Sequence, residues 1–491
     1  MHIAVLITFI LYFMIVFAIG IKAYYTTETQ SDYVLGGRRL GSIITALGVG
    51  ASDMSGWLIY GLPGAVYLYG VSNVWMPIGL LIGSYLNWKL VANRLRIFTV
   101  VANNALTIPT YLENRFNDKK HIIRIVTAVV ILIFFTVYCA ANFKSSALLF
   151  SATFDMPYLD ALIISVLVIV VYTSIGGFLA VNWVDVFQGI LMLFALLILP
   201  AIAFYNIDHT TSLAIITKKI LLDTPDYFNF FDKISTVTLV STMAWGLGYF
   251  GQPHILVRFM ASKSNSAISN GRKICMSWMF FSLLGAVLTG IIGRMYYVDA
   301  PLHNSEEVFL ELTQDLAPFW LIGVLMAAVL SCVISTVAAQ LILSSSAVAE
   351  DCYKLLFNKK DDDKSLVLVG RISVFIVALI AFFFALDKDN SILLLVGYAW
   401  AGLGAAFGPV IIFSLFYRKM TAYSVVIGMS VGTATVIAWI MLRDLFPDVY
   451  ILQYYEIIPG FLLSTISIFL ASIKSKVSAD GFFLQARGHM D

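Results

Sequence analysis

The chain has 491 residues, 60% of them hydrophobic and 12% charged, with a net charge of +2 and a mean hydropathy of +0.89. A soluble domain carries about twice that charged share, so the composition excludes one and points to a helical protein of many membrane spans. The near-neutral balance offers nothing to a nucleic acid or another polyanion.

Thirteen segments have the apolar length of a bilayer span: 3–23, 41–70, 73–95, 122–150, 157–180, 183–206, 234–260, 274–298, 317–347, 367–387, 391–417, 420–442 and 452–473. The first lacks the basic flank and small-residue cleavage site of a signal peptide, and many spans follow it. Four cysteines, Cys139, Cys275, Cys332 and Cys352, show no paired spacing, which predicts free thiols rather than disulfides or zinc. Paired histidines or cysteines within spans, which a redox enzyme of the membrane needs, are absent from the pattern, so no enzyme is expected.

Basic residues set the expected orientation. With the N-terminus outside, the inward loops hold Arg38 and Arg39, Arg94 and Arg96, Arg115, Lys119 and Lys120, Lys263 to Lys273, Lys354 to Lys364, Arg418 and Lys419, and Lys474 onward. The outward loop 299–316 is acidic, with Asp299, Glu306, Glu307, Glu311 and Asp315; Lys218 and Lys219 are the outward exceptions. The acidic run at 361–364 reads as a solvated turn. The short tail after Lys474 is too small for a signalling module.

Within the second segment, Leu47 to Gly70, Asp53 sits among Gly48, Gly50, Ala51, Ser52, Ser55 and Gly56, with Pro63 further on. A carboxylate in hydrocarbon survives only by facing a cavity, a partner or an ion. The small neighbours predict a helix whose backbone opens there and offers its polar groups to something else. Residues 234–260 repeat the signal with Gly246, Gly248, Gly251 and Pro253 around Trp245 and Tyr249. The second lies five spans after the first, which divides the chain into 1–40, a first unit 41–206, an external loop 207–233, an inverted second unit 234–417, and 418–491. That is the inverted-repeat arrangement of a leucine-transporter-like symporter. Plain helix packing at the glycines is the competing explanation. In the ninth span Ser335 and Thr336 are adjacent hydroxyls in an apolar run. They suit sodium, a hard cation that takes neutral oxygens, or they bond back to their own helix.

The stretches SDYVLGGRRLG, ASDMSGWLIYGLPGAVYLYG, NNALTIPTYLENRF, IGGFLAVNWVDVFQG, WGLGYFGQPHILVRFMA and STVAAQLILSSSAVAEDCYK resemble the solute:sodium symporter family, and within it the proline-transporting branch. The resemblance covers residues 31 to 420. It implies an all-α fold of thirteen helices, 5+5 inverted repeats with broken second and seventh helices, the N-terminus outside and the C-terminus inside. It implies sodium-coupled uptake of L-proline across a bacterial inner membrane, with Na+ as coupling ion, the lipid bilayer as partner and no cofactor. A symporter of the same fold for another amino acid, organic acid or sugar, and a transporter-like proline sensor, are the alternatives.

The resemblance places sodium on the carbonyls of Ala51, Met54 and Cys332 and the hydroxyls of Ser335 and Thr336. The family pattern has alanine at position 332, so Cys332 is a departure there. Asp53, Asp185 and Arg38 are implied in coupling. Asp185 has a second reading as a cap at the start of the sixth span, and Arg38 as a cytoplasmic anchor. Ser55, Gly56, Trp57, Tyr138, Trp245 and Tyr249 are implied around the solute, with Trp245 and Tyr249 ranked above Tyr138. Amides opened near Ser55 and Gly56 are expected to take the solute carboxylate. Lys144 reads as snorkelling or lining the outer vestibule, and His254 as a hydrogen-bonded packing residue.

Overall fold

The computed structural model describes residues 3–26, 30–175, 177–207, 213–231, 234–353, 363–388, 391–473 and 480–488. Lys354, Lys359, Lys360, Lys474 and Lys476, among the charges that set the expected orientation, and Asp361 and Asp362 of the acidic run, lie outside these residues. Among the described residues there are helices and no strands. In chain order they are α1 Ile3–Tyr25, α2 Ser42–Asp53, α3 Trp57–Tyr69, α4 Trp75–Leu86, α5 Asn93–Val101, α6 Ile108–Phe116, α7 Ile122–Phe154, α8 Tyr158–Ile175, α9 Phe178–Tyr205 and α10 Leu213–Asp223. The second half holds α11 Thr236–Ala244, α12 Pro253–Met260, α13 Asn265–Tyr296, α14 Val308–Leu316, α15 Phe319–Ser346, α16 Asp363–Ala385, α17 Ile392–Phe416, α18 Ala422–Leu445, α19 Ile457–Ile473 and α20 Asp480–Gly488. Eight described helices are long and apolar enough to cross a bilayer, nine if α2 and α3 count as one bent span.

The apolar periodicity is weak in most of the spanning helices because their outward faces are apolar too, with exposed side chains such as Ile7, Ile190, Phe383 and Met441. α15 is the most enclosed, with 89% of its apolar window buried. It packs on α1, α7 and α9, while α2 lies between α9 and α13. Helix starts are set by side-chain caps. Ser391 accepts from the Leu394 amide at 3.3 Å, and Thr421 and Ser424 form a reciprocal capping box. One boundary differs from the sequence reading. The sixth span begins at Phe178 after Gly177, not at residue 183, so Asp185 lies two turns inside α9 and caps nothing.

α2 and α3 meet at 63° across residues 54–56. The seventh span is likewise in pieces. Residues Trp245–Gly251 form a 3-10 stretch, Gln252 is extended, and Pro253 opens α12. Proline suits that first helical position because its missing N–H is not needed there. The two interrupted spans are tied at one end by main chain: Leu40 N–H donates to Ala261 O at 3.1 Å, and Lys263 N–H to Leu40 O at 2.9 Å.

Two glycines make a close helix seam possible. A Cβ on Gly83 in α4 would overlap the main chain of Gly246, and one on Gly246 would overlap that of Gly79. The backbones therefore touch directly, as small residues permit in membranes. α20 docks against the bundle through Phe482 and Phe483, both edge-on to Phe98 at 5.4 Å. The Arg115 guanidinium lies 4.4 Å from the Phe482 ring centroid. All four cysteines are free thiols.

Gly83→Val should overpack the α4 seam and lower stability by about 1–3 kcal/mol. Thermal unfolding of the detergent-purified protein checks this, with a surface glycine such as Gly20→Val, which meets nothing within 4 Å, as control.

Candidate functional site

The break at 54–56 lies at the centre of a buried polar cluster. Asp53 is fully buried. Its Oδ2 accepts a hydrogen bond from the Tyr249 hydroxyl, which joins the two interrupted spans. Its Oδ1 has no partner, and neither has the Ser55 hydroxyl. The Asp53 carbonyl, released from the helix, accepts from Trp57 Nε1 at 3.1 Å and from the Tyr138 hydroxyl at 3.4 Å. Tyr249 is held in turn by Asn87, whose side-chain amide donates to its carbonyl at 2.9 Å, and by Trp400, whose ring stands edge-on at 5.1 Å.

Opened amides are not left free for a carboxylate, as the sequence suggests. Ser55 N–H donates to Asp53 O at 3.0 Å, and Gly56 N–H to Asn142 Oδ1 at 3.3 Å. What the break leaves unsatisfied is one carboxylate oxygen and one hydroxyl. A buried polar atom without a partner is costly, so both are poised for a ligand group.

Trp245 does not join this cluster. Its ring stacks on Tyr455 at 5.2 Å and 18°, and its carbonyl accepts from Trp400 Nε1 at 2.8 Å. The reason is the local winding. On an α-helix, residues 245 and 249 share a face, but in a 3-10 stretch the face repeats every third residue. The ranking therefore changes: Tyr138 and Tyr249 both contact Asp53, and Trp245 lines the α17–α19 side.

Four of the five oxygens named for sodium come together. Ser335 Oγ lies 2.8 Å from Ala51 O, 2.8 Å from Ser331 O and 3.1 Å from Cys332 O. Thr336 Oγ1 lies 3.2 Å from Cys332 O. A hydroxyl has one proton, so it cannot satisfy three carbonyls at once. The crowd of neutral oxygens around it is the donor set that a hard monovalent cation takes. Met54 sits at the break, three residues beyond Ala51, where its N–H caps the helix on Gly50 O. Among the described residues no three His, Cys, Asp or Glu side chains cluster as a metal site.

Asp185 does not reach the hydroxyl group. Its Oδ2 pairs with Arg258 Nη2 at 2.8 Å, and both side chains are buried. Gly48 makes room for the pair: a Cβ there would sit 2.6 Å from Asn182 Oδ1 and 3.1 Å from Arg258 Nε. His254, one turn before Arg258, has no hydrogen bond at either ring nitrogen. It packs by its ring, 5.7 Å from Phe135 and 6.3 Å from Tyr138. Its hydrogen-bonded reading is thus corrected to a purely packed one.

The two ends of the interrupted spans are each latched. Arg38 donates to Asn104 Oδ1 at 2.9 Å, Thr99 Oγ1 at 3.1 Å, Met260 O at 2.7 Å and Ala105 O at 2.9 Å. It thereby joins the start of α2 to α5, the loop after it and the end of α12. Burial, then the neighbouring Arg96, lower its pKa to about 10, so it is charged at neutral pH. At the other end of α3, Glu306 accepts from Ser391 Oγ at 2.7 Å and from the amides of Ile392 at 3.0 Å and Leu393 at 3.2 Å. The Glu306 backbone lies against Gly64.

Sequence reasoning missed Asn142, Asn87, Trp400, Arg258 and the Glu306 cap. Arg258 and Asn87 stand inside stretches that resemble the family, and Glu306 in the acidic outward loop, but nothing local marks what each of them meets.

Three comparisons bear on this geometry. A family model described as "Sodium:solute symporter family" matches residues 33–432. The "Sodium/proline symporter" of Salmonella typhimurium is 46% identical over 478 residues, 96% of this chain and 93% of that protein. The "High-affinity proline transporter PutP" of Bacillus subtilis is 44% identical over 477 residues, 96% and 98% of the two chains. A solved Na+-coupled sialic acid symporter in a substrate-bound outward-open state shares the fold with a TM-score of 0.80 at 16% identity, covering 97% of this chain and 99% of that one.

Replacing one member of the buried pair, as Asp185→Leu or Arg258→Met, should cost about 3–5 kcal/mol, because the other charge is left uncompensated. The double variant Asp185→Leu with Arg258→Met should recover most of the loss. Unfolding of the four proteins in detergent measures the coupling.

Proposed function

We propose that this chain, which belongs to the sodium:solute symporter family, takes up L-proline across the bacterial cytoplasmic membrane together with sodium. The observation that carries the reading is the pairing of two polar clusters on one broken helix. Ala51, three residues before the break, shares its carbonyl with Ser335. Asp53 and Ser55, at the break, hold the unpartnered buried atoms. An ion and a solute at these places act on the same few residues of main chain.

Sodium sits among Ala51 O, Met54 O, Cys332 O, Ser335 Oγ and Thr336 Oγ1. Ser335 donates its single proton elsewhere when the ion takes the carbonyls, and the end of α2 is fixed. That fixes Asp53 and Ser55, two and four residues on. Proline then binds at Ser55 and Gly56, between Tyr138 and Tyr249. Its carboxylate exchanges with the long Asn142 bond to the Gly56 amide, and its ammonium faces Asp53. Trp57 keeps its indole on the Asp53 carbonyl and supports the break from behind. Trp245 walls the site through Trp400 rather than by direct contact.

Each ligand prepares the other's site, so the two affinities rise by one common factor. The N-terminus lies outside, the Glu306 latch faces outward and the Arg38 latch inward. Units 41–206 and 234–417 rock against each other as one latch opens and the other closes. With an inside-negative potential each sodium contributes about 2.3 kcal/mol per 100 mV, about fiftyfold accumulation. Asp185, neutralised by Arg258, stabilises α9 against α12 and sets how the inner half of the seventh span moves.

Labelled proline uptake into proteoliposomes should require an inward sodium gradient. Equal uptake without sodium would overturn the mechanism, and a panel of competing amino acids, organic acids and sugars tests the solute. Ser335→Ala with Thr336→Ala should raise the half-saturating sodium concentration about tenfold or more, two oxygens having been removed. Asp53→Asn should shift it in the same direction. Glu306→Ala, which removes the carboxylate from three donors, should increase the accessibility of a cysteine placed at Gly61 to an outside thiol reagent.

A further inference from the structure

A cavity of about 400 Å³ opens where the span of α4 and α5 meets the end of α17. It lies at the end of the bundle that carries the Arg38 latch. Arg96, two residues past Arg94 in its wall, donates to Ser262 O at 2.7 Å, beside the Leu40–Lys263 tie. None of its lining residues belongs to the sodium or solute clusters.

Lys89, in the wall, is exposed, and so are Ile82, Tyr85, Leu86 and Leu90. Their spacing of three and four residues puts all five on one helix face, so a lysine stands in an apolar, lipid-facing stripe. It lies five residues before Arg94, about 7 Å along the axis. An ammonium there escapes hydrocarbon only by reaching toward the membrane surface and pairing with an anion. The Tyr85 ring carries it that way: Lys89 Nζ lies 5.9 Å from the ring centroid, and the Arg272 guanidinium lies 5.6 Å from the same ring. Arg94 rests 4.2 Å from the Phe416 centroid and donates one N–H to Leu415 O at 3.2 Å. That bond uses one of its five donors. Asn93 and Asn265 also line the cavity, and the Oδ1 of each is buried without a partner. Among the described residues of the lining none is acidic.

We propose that this cavity binds one phosphatidylglycerol of the surrounding bilayer. The lipid phosphate takes Lys89 and Arg94, and Arg272 adds a third positive charge nearby. The headgroup hydroxyls donate to Asn93 and Asn265, and an acyl chain lies along Leu86 and Leu90. Basic pockets between spans take anionic headgroups in this way. Phosphatidylcholine has the phosphate but neither the net charge nor a headgroup donor. A diffuse field of basic residues around this end of the bundle makes a different prediction, because any lysine there would then count equally.

The test is thermal unfolding of the delipidated full-length protein in detergent. It is titrated separately with dioleoyl phosphatidylglycerol in mixed micelles, dioleoyl phosphatidylcholine in mixed micelles, and soluble glycerol phosphate. Phosphatidylglycerol should raise the unfolding midpoint and saturate, and the other two should leave it in place. Lys89→Gln should weaken the apparent affinity for phosphatidylglycerol about fivefold, and Lys89→Gln with Arg94→Gln about twentyfold, the weight of one and two basic residues at a membrane surface. Lys119→Gln with Lys120→Gln removes the same charge from the exposed connection between α6 and α7, and should leave the affinity as it was. Equal stabilisation by phosphatidylcholine or by glycerol phosphate would overturn the assignment. So would an equal loss of affinity in the 119/120 double variant. Should the variant with Arg94→Gln fail to fold, a wild-type affinity in Lys89→Gln, whose side chain is exposed, overturns it alone.

Discussion

A main chain that stops being helical inside a bilayer must have every freed donor and acceptor met by protein or by cargo. This constraint governs the arrangement around residues 54–56. Trp57 and Tyr138 take the Asp53 carbonyl, Asn142 takes the Gly56 amide, and Ser335 takes the Ala51 carbonyl. The buried carboxylate of Asp53 is met by Tyr249 from the other interrupted span. Four helices are thereby drawn to one point, and a change in any one bond changes the demand on the rest. The few atoms left without partners are where outside chemistry can act.

Much of this was legible from residue types. A carboxylate flanked by glycines and serines in an apolar segment has few explanations, and the bend falls within three residues of it. Adjacent hydroxyls at 335 and 336 were legible for the same reason. The proline at 253 marked the start of a half-helix, where the ring is tolerated. The all-helical class followed from composition, because nothing else keeps so apolar a chain in a membrane.

The misreadings came from geometry that periodicity cannot supply. Trp245 and Tyr249 share a face only if the helix has 3.6 residues per turn, and the 3-10 winding there separates them. Asp185 looked like a cap because the helix start was placed five residues late. Its true partner, Arg258, is 73 positions away, and no local pattern links the two. The opened amides were expected to be vacant, but Asn142 comes from α7 to occupy one. Side chains that satisfy a broken backbone are contributed by whichever helix packs nearby, so their identity is a property of the packed bundle.

The docked terminal helix has a practical consequence. Phe482 and Phe483 clasp Phe98 at the end of α5, the same short helix whose Thr99 receives the Arg38 guanidinium. A purification handle or fluorescent protein fused directly behind Gly488 would hang its weight on that aromatic clasp. Spacing any fusion with a flexible peptide, or moving it elsewhere in the chain, would keep the label from reporting on its own tether.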